Sequence, residues 1–140
     1  MKKLKPTLLI LLLSISFFCK AQEKNNIIKT SLLWPFTNSF LVGYERMVGA
    51  ESSIGLEVVL GDFVSIRPEY RYYLSENRVA PSGAFLGPYL HLLDDTFGGG
   101  LMVGYQRLFK SKISLEAFAG PGLYGEGVSA WGGINIGFAF

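Results

Sequence analysis

The residues of this chain that could do chemistry are one histidine and a limited set of serines, carboxylates and arginines. His91 is followed by Asp94 and Asp95. A hydrolase built on His91 would need a serine within hydrogen-bond reach and an acid to orient the imidazole ring. Ser39 and Ser129 are conceivable partners, but no spacing in the sequence connects either to His91. We therefore interpret His91 as a polar residue of an inner face or rim, and we predict no catalytic residue.

Cofactor and metal motifs are not found in the sequence. The run GGG at 98–100 is followed by neither the lysine nor the helix of a phosphate-binding loop. Histidine, cysteine and carboxylates do not cluster at metal-ligand spacing. Asp94 and Asp95 could hold calcium in an exposed loop, but a solvated loop tip is the simpler interpretation. We predict no cofactor and no metal.

The charged residues fall on alternate positions of short segments, which is the period of a β-strand. In VSIRPEYRYYL, residues Arg67, Glu69 and Arg71 share one face, and Ile66 and Tyr70 lie on the other. Across the chain, the same minor face also carries several glycines. We predict that this face forms a polar network from Glu45, Glu57, Arg67, Glu69, Arg71, Gln106, Glu116 and Asn135.

The first 21 residues have the order of a secretory signal: lysines, an apolar run over 8–18, and small residues before a cleavage point after Ala21. The apolar run is shorter than the roughly 20 residues of a transmembrane helix, which disfavours an anchor. Lipidation of Cys19 is disfavoured by the bulky Phe17 and Phe18 ahead of it. Cleavage removes the only cysteine and four of 13 basic residues, leaving nine against 11 acidic ones. The resulting negative charge predicts no nucleic-acid partner.

The mature chain, residues 22–140, is predicted to be one domain of eight strands joined by turn-type segments. Pro68, Pro88 and Pro121 fall inside proposed strands, where a missing N–H predicts a bulge or a strand end. An even number of strands can close as an antiparallel up-and-down barrel, for which eight is a common small size. The strands are predicted at 27–34, 39–48, 53–61, 64–74, 84–93, 100–109, 113–121 and 131–140.

Two barrels fit this pattern, a soluble lipocalin-like barrel with an apolar inside and a transmembrane barrel with an apolar outside. The glycines that share the minor face with long charged residues favour a narrow barrel interior over a soluble surface. In a membrane barrel the charges belong on that inner face, because a charge facing mid-bilayer lipid costs about 2–4 kcal/mol. The sequence thus predicts a transmembrane β-barrel whose lumen is plugged by ion pairs. Aromatic residues are expected at the two membrane interfaces, namely Trp34, Tyr44, Tyr72, Tyr105, Phe109, Trp131 and Phe140.

The segment VGYERMV at 42–48 returns as VGYQRLF at 103–109. We interpret both copies as strands running to the periplasmic rim, with Arg46 and Arg107 near the lipid headgroups. These segments, with RPEYRYYLSENRVAPSGAFLGPYL and SLEAFAGPG, resemble an uncharacterised family of small Gram-negative outer-membrane β-barrel proteins. The resemblance implies an outer-membrane barrel and no established activity. The apolar positions Ile134, Ile136, Phe138 and Phe140 also resemble the C-terminal signal read by the outer-membrane assembly machinery.

The function that follows is a structural or surface-interaction role in the outer membrane. Outer-membrane lipid and the assembly machinery are the expected partners, and loops around 35–38, 94–99 and 122–130 form the expected outward surface. The alternatives are an outer-membrane lipid-modifying hydrolase and a secreted lipocalin-like binder of an apolar ligand.

Overall fold

A computed structural model of the chain describes residues 25–33, 36, 38–74, 81–93, 96–110 and 112–140. Each strand pairs antiparallel with the next along the chain, and the first pairs with the last, so the sheet closes into a barrel. The predicted eight-stranded antiparallel barrel is confirmed. The proposed signal at 1–21 lies outside the described residues, as do Trp34, Asp94 and Asp95. The strands are β1 (Asn26–Ser31), β2 (Phe40–Met47), β3 (Ser52–Leu60), β4 (Val64–Tyr73), β5 (Gly83–Leu93), β6 (Thr96–Phe109), β7 (Ile113–Tyr124) and β8 (Gly127–Ala139).

Side chains alternate between the inside and the outside of the barrel because successive residues of a strand point to opposite faces. In β4, Arg67, Glu69 and Arg71 are buried inside, whereas Ile66 and Tyr70 are exposed outside. A cluster of large side chains fills part of the interior, namely Tyr73, Phe85, Tyr89, Met102 and Phe118. Among the described residues, no helix is long and apolar enough to cross a membrane.

The last three strands are longer than the sequence predicted, because two glycine-containing segments belong to the sheet. Residues 96–99 are part of β6, where Gly98 pairs with both His91 and Tyr124. Residues 122–124 and 127–130 extend β7 and β8, and only Gly125 and Glu126 turn between them. Gly125 has a φ of 52°, which glycine adopts without strain. The predicted loops at 94–99 and 122–130 are therefore wrong over most of their length.

The three prolines neither end a strand nor insert a bulge. Pro68 opposes Leu56, Pro88 opposes Leu101, and Pro121 opposes Ala130. Between β4 and β5, Ile66 opposes Leu92 and Glu69 opposes Tyr89. Each strand advances by three residues between these pairs, so neither strand has the extra residue of a bulge. Proline removes a donor from the ladder here and leaves the register unchanged.

The two ends of the barrel differ in what they contain. The end we call the terminal rim comprises Asn25, residues 48–51, the β6–β7 turn and Phe140. There the Asn26 N–H donates to the Phe140 carbonyl at 3.2 Å, and the Phe140 N–H donates to the Asn26 carbonyl at 2.9 Å. The opposite rim includes the turns at 61–63 and 125–126. The two chain segments that close the sheet thus meet at the terminal rim.

Candidate functional site

The inside of the barrel holds a connected set of charged and amide side chains, which we call the interior polar network. All eight residues predicted for it from alternation are buried. The structure adds Lys29, so the network comprises Lys29, Glu45, Glu57, Arg67, Glu69, Arg71, Gln106, Glu116 and Asn135. These residues come from seven of the eight strands, every one except β5. Closing the barrel is what brings them together.

Arg71 lies at the centre of the network and has no exposed side-chain surface. Its Nη2 lies 2.5 Å from Glu69 Oε1, and its Nη1 lies 2.6 Å from Glu116 Oε2. Nη1 also donates to Gln106 Oε1 at 3.0 Å. Glu45 and Glu57 lie farther away, at 3.6 and 3.9 Å. One guanidinium thus holds carboxylates from four strands, and its planar set of donors suits that geometry.

Lys29 is a second cation of the network that the sequence interpretation missed. Its Nζ lies 2.5 Å from a carboxylate oxygen of both Glu45 and Glu116, and it donates to Gln106 Oε1 at 3.1 Å. The alternation of β1 indicates its position, since Ile27, Lys29 and Ser31 lie on every second residue and share the inward face. Lys29 opposes Gly43, which leaves room for the long side chain.

Arg67 anchors the other part of the network. Its Nη2 donates to Glu57 Oε2, and its guanidinium carbon lies 4.7 Å from the centre of the Phe118 ring and 5.3 Å from that of Trp131. Asn135 connects the two parts, because its Nδ2 donates to Glu57 Oε1 at 3.1 Å and to Glu116 Oε1 at 2.9 Å. Arg67 therefore combines an ion pair with cation–π contacts to aromatic faces.

The network contains three cations and four carboxylates, all buried. Neutral hydroxyls contribute too, since Ser53 and Tyr73 each donate to Glu45 Oε1 at 2.5 Å. Burying charges is costly unless they are paired and hydrogen-bonded, and here each charged group has an oppositely charged neighbour. An eight-stranded barrel is only wide enough for its own side chains. The charged side chains therefore lie packed together in the barrel interior.

Inward-facing glycines give these side chains their space. A Cβ added at Gly55 would lie 2.8 Å from Glu69 Cγ, and one at Gly43 would lie 3.1 Å from Glu57 Cγ. Each glycine neighbours a glutamate on the adjoining strand, as the registers Gly55–Glu69 and Gly43–Glu57 show. The alternation of small and long residues inferred from the sequence is therefore a packing requirement.

His91 lies inside the barrel, in the half next to the opposite rim. Its Nε2 shares a hydrogen bond with the hydroxyl of Ser65 on β4, and not with Ser39 or Ser129. Trp131 and Tyr124 meet the imidazole edge-on, at 4.6 and 4.8 Å between ring centres. Within the described part of the chain, His91 Nδ1 has no hydrogen-bond partner. Ser65 could not be found from the sequence, because the β4–β5 register decides which serine faces His91.

The Ser65–His91 pair has only two of the three groups of a hydrolytic triad in the described structure. No carboxylate is hydrogen-bonded to His91 Nδ1 there, and the charged group that contacts the neighbouring Trp131 ring is the cationic Arg67. Both residues are 1% exposed. A substrate therefore has no access to the serine hydroxyl in this arrangement.

Five of the predicted interface aromatics lie on the outer surface toward the terminal rim. They are between 41% and 50% exposed, and they are Tyr44, Tyr72, Tyr105, Phe109 and Phe140. The C-terminal positions Ile134, Ile136 and Phe138 also face outward. Tyr44 donates to Asn26 Oδ1 at 2.7 Å, and Tyr72 donates to Glu51 Oε2 at 2.6 Å.

The prediction for Trp131 is wrong. This residue does not begin the last strand, because β8 starts at Gly127, and its ring packs inside against the aromatic cluster. It shares the inward parity of Gly133 and Asn135, so alternation itself places it inside. Trp34, the other tryptophan predicted at a membrane interface, lies outside the described residues.

The fold and its interior define a closed, antiparallel eight-stranded barrel with a buried ion-paired network. In the described ranges, no group of three or more histidine, cysteine, aspartate or glutamate residues could hold a metal ion. No family model, curated protein or solved structure matches this chain.

Proposed function

We propose that this chain is an integral barrel of the outer membrane of a Gram-negative bacterium. Residues 1–21 act as a cleaved signal peptide, and residues 22–140 fold into the bilayer. The barrel has a structural or surface-interaction role and performs no enzymatic reaction. The interior polar network plugs its lumen. The terminal rim faces the periplasm, and the short turns of the opposite rim face outward.

The observation that carries this proposal is the reversed distribution of polarity across the barrel wall. Leu101 and Val103 are each 62% exposed, and large apolar side chains are exposed on every strand, whereas Arg71 is fully buried. A soluble barrel places its apolar side chains inside, where they leave water. A lipid environment satisfies the outer surface, and a closed sheet leaves no backbone group unpaired at an edge.

The chain end supports delivery to the outer membrane. Ile134, Ile136, Phe138 and Phe140 form an outward apolar row at every second position, which resembles the pattern that the outer-membrane assembly machinery reads. We also propose that the chain is a member of the small outer-membrane barrel family named above. Outer-membrane lipid and the assembly machinery are the proposed partners of the chain.

Localisation and heat-dependent mobility test the proposal together. The full chain is expressed in a Gram-negative host, the outer membrane is isolated, and samples are run on a denaturing gel with and without boiling. A band in that fraction whose mobility changes on heating is expected, because closed barrels resist detergent until heated. Soluble periplasmic protein without a mobility change would contradict membrane insertion and favour the secreted ligand-binding barrel.

The plugged lumen has its own test. Purified protein in planar bilayers is expected to give no stable single-channel conductance, because buried side chains fill the interior. Reproducible current steps from the parent chain would contradict the plug and leave the membrane location intact.

A lipid hydrolase is the second candidate function, and the Ser65–His91 hydrogen bond is the observation that favours it. Lipid hydrolysis is measured for the parent chain, for Ser65→Ala and for His91→Ala, with Ser129→Ala as the matched control. The structural proposal expects no hydrolysis by any of them. Turnover by the parent that is lost in the Ser65 and His91 variants and kept in the control would establish the hydrolase.

A further inference from the structure

The exposed charges are separated between the two ends of the barrel. Every exposed cation of the described residues lies at the terminal rim, namely Arg46, Arg107, Lys110 and Lys112. Glu51 is the one exposed acidic side chain described there, and its Oε2 accepts a hydrogen bond from the Tyr72 hydroxyl. The opposite rim carries the exposed carboxylates Asp62 and Glu126. Among the described side chains, the exposed charges at one end of the barrel are thus mainly basic and those at the other end are acidic.

The four cations are free to bind a ligand. Among the described residues, none of them forms an ion pair with a carboxylate, since all the cations in such pairs belong to the interior. Arg107 instead lies over the Phe109 ring, with its guanidinium carbon 5.1 Å from the ring centre. That contact holds the side chain against the outer wall and leaves its N–H groups available.

The repeated motif places an arginine and a tyrosine together on the outer wall at two sites. Tyr44 and Arg46 share the outward face of β2, and Tyr105 and Arg107 share that of β6. These strands are four positions apart in a closed ring of eight, so the two pairs lie on opposite sides of the barrel. Across the sheet, Arg46 lies between the apolar Ile54 on β3 and the polar Asn26 on β1, and Arg107 lies beside the apolar Leu115. Each arginine therefore sits where an apolar wall ends.

We propose that the terminal rim is a binding surface for anionic phospholipid headgroups, with one arginine site on each side of the barrel. The proposal rests on the membrane location proposed above. Arginine offers a phosphate two parallel N–H donors, and the apolar wall below it meets the acyl chains. Lys110 and Lys112 add charge in the turn beside Arg107. The acidic opposite rim does not attract such lipids, so the charge separation also favours one orientation.

Lipid retention in native mass spectrometry tests this inference. The folded full chain is mixed in detergent micelles with equal amounts of phosphatidylglycerol and phosphatidylcholine, which differ in headgroup charge. Preferential retention of phosphatidylglycerol is expected. Near an anionic surface, each cation strengthens binding about fivefold. Arg46→Gln/Arg107→Gln should lower the preference at least about fivefold, and added salt should weaken it in the parent.

Two further variants separate the site from general effects of charge. Asp62→Asn/Glu126→Gln removes two charges at the opposite rim and should leave the preference unchanged. Arg46→Lys/Arg107→Lys should keep part of it, because lysine keeps the charge and loses the paired donors. Each protein is first shown by its heat-dependent gel mobility to be folded. A folded parent that retains both lipids equally overturns the inference alone, whereas a chain that never forms a heat-modifiable barrel overturns the proposed function.

Discussion

Replacing Arg71 by methionine should be the most damaging single change inside the barrel. The substitution removes the cation that lies 2.5 Å from Glu69 and 2.6 Å from Glu116 and that also faces Glu45 and Glu57. Four buried carboxylates then share only Lys29 and Arg67. Removing one partner of a buried ion pair costs about 3–5 kcal/mol. That is a large part of the roughly 5–15 kcal/mol that stabilises a typical domain.

A carboxylate of the same network should be far easier to replace. Glu69→Gln leaves three cations facing three carboxylates, and the amide oxygen can still accept a hydrogen bond from Arg71. The expected loss is about 1 kcal/mol, the size of one hydrogen bond. Because the network has one more carboxylate than cations, replacing a cation should cost more stability than replacing a carboxylate.

The free energy of unfolding is measured by urea titration in lipid vesicles, with Trp131 fluorescence as the signal in a Trp34→Phe background. Trp131 is suitable because its ring lies inside, against His91 and Arg67. A double-mutant cycle with Glu116→Gln then isolates the coupling between Arg71 and Glu116. If Arg71→Met is within about 1 kcal/mol of the parent, or if Glu69→Gln costs as much as Arg71→Met, the central guanidinium does not stabilise the barrel through its ion pairs.

Two substitutions test the packing and the outer wall by the same unfolding measurement. Gly55→Ala should cost about 1–3 kcal/mol, because its Cβ would lie 2.8 Å from Glu69 Cγ. Gly127→Ala is the control, since the nearest atom to its Cβ would be 3.6 Å away. Equal losses of stability from the two substitutions would contradict the proposed packing role. Leu56→Arg, in the middle of β3 and 45% exposed, should cost about 2–4 kcal/mol in a bilayer, with Leu56→Met as control. No loss from the arginine would argue that this wall does not face lipid.

Period-two alternation predicted much of this fold because it reflects a constraint that acts on every strand. The inner positions Glu45, Glu57 and Glu116 were identified by parity alone, since each lies between residues that face outward. The same rule applied to β1 and β8 would have placed Lys29 and Trp131 inside. The predicted network does not include Lys29, and the prediction for Trp131 rests on its residue type, although parity holds for any residue within a strand.

Other features depend on relations between strands that the sequence does not show. The run Gly98–Gly100 has the composition of a turn, yet a Cβ at Gly100 would lie 2.9 Å from the Tyr89 hydroxyl, so glycine is required by packing across the sheet. The bond between Ser65 and His91 depends on the β4–β5 register. The ladder continues past Pro68 because the flanking pairs, not the missing donor, set that register.

The pairing of β1 with β8 means that the barrel closes only through contacts between distant parts of the chain. Lys29 must find Glu116, which is 87 residues away along the chain, and Asn135 joins Glu57 across 78 residues. Such distant contacts reward folding only after a large loss of chain entropy, which makes formation slow. A nascent chain lacking its last strands would hold Lys29 without a complete set of acceptors and an unsealed seam. The electrostatic interior therefore favours the closed barrel over partly assembled forms, because the full set of ion pairs and hydrogen bonds forms only when β7 and β8 have joined the sheet.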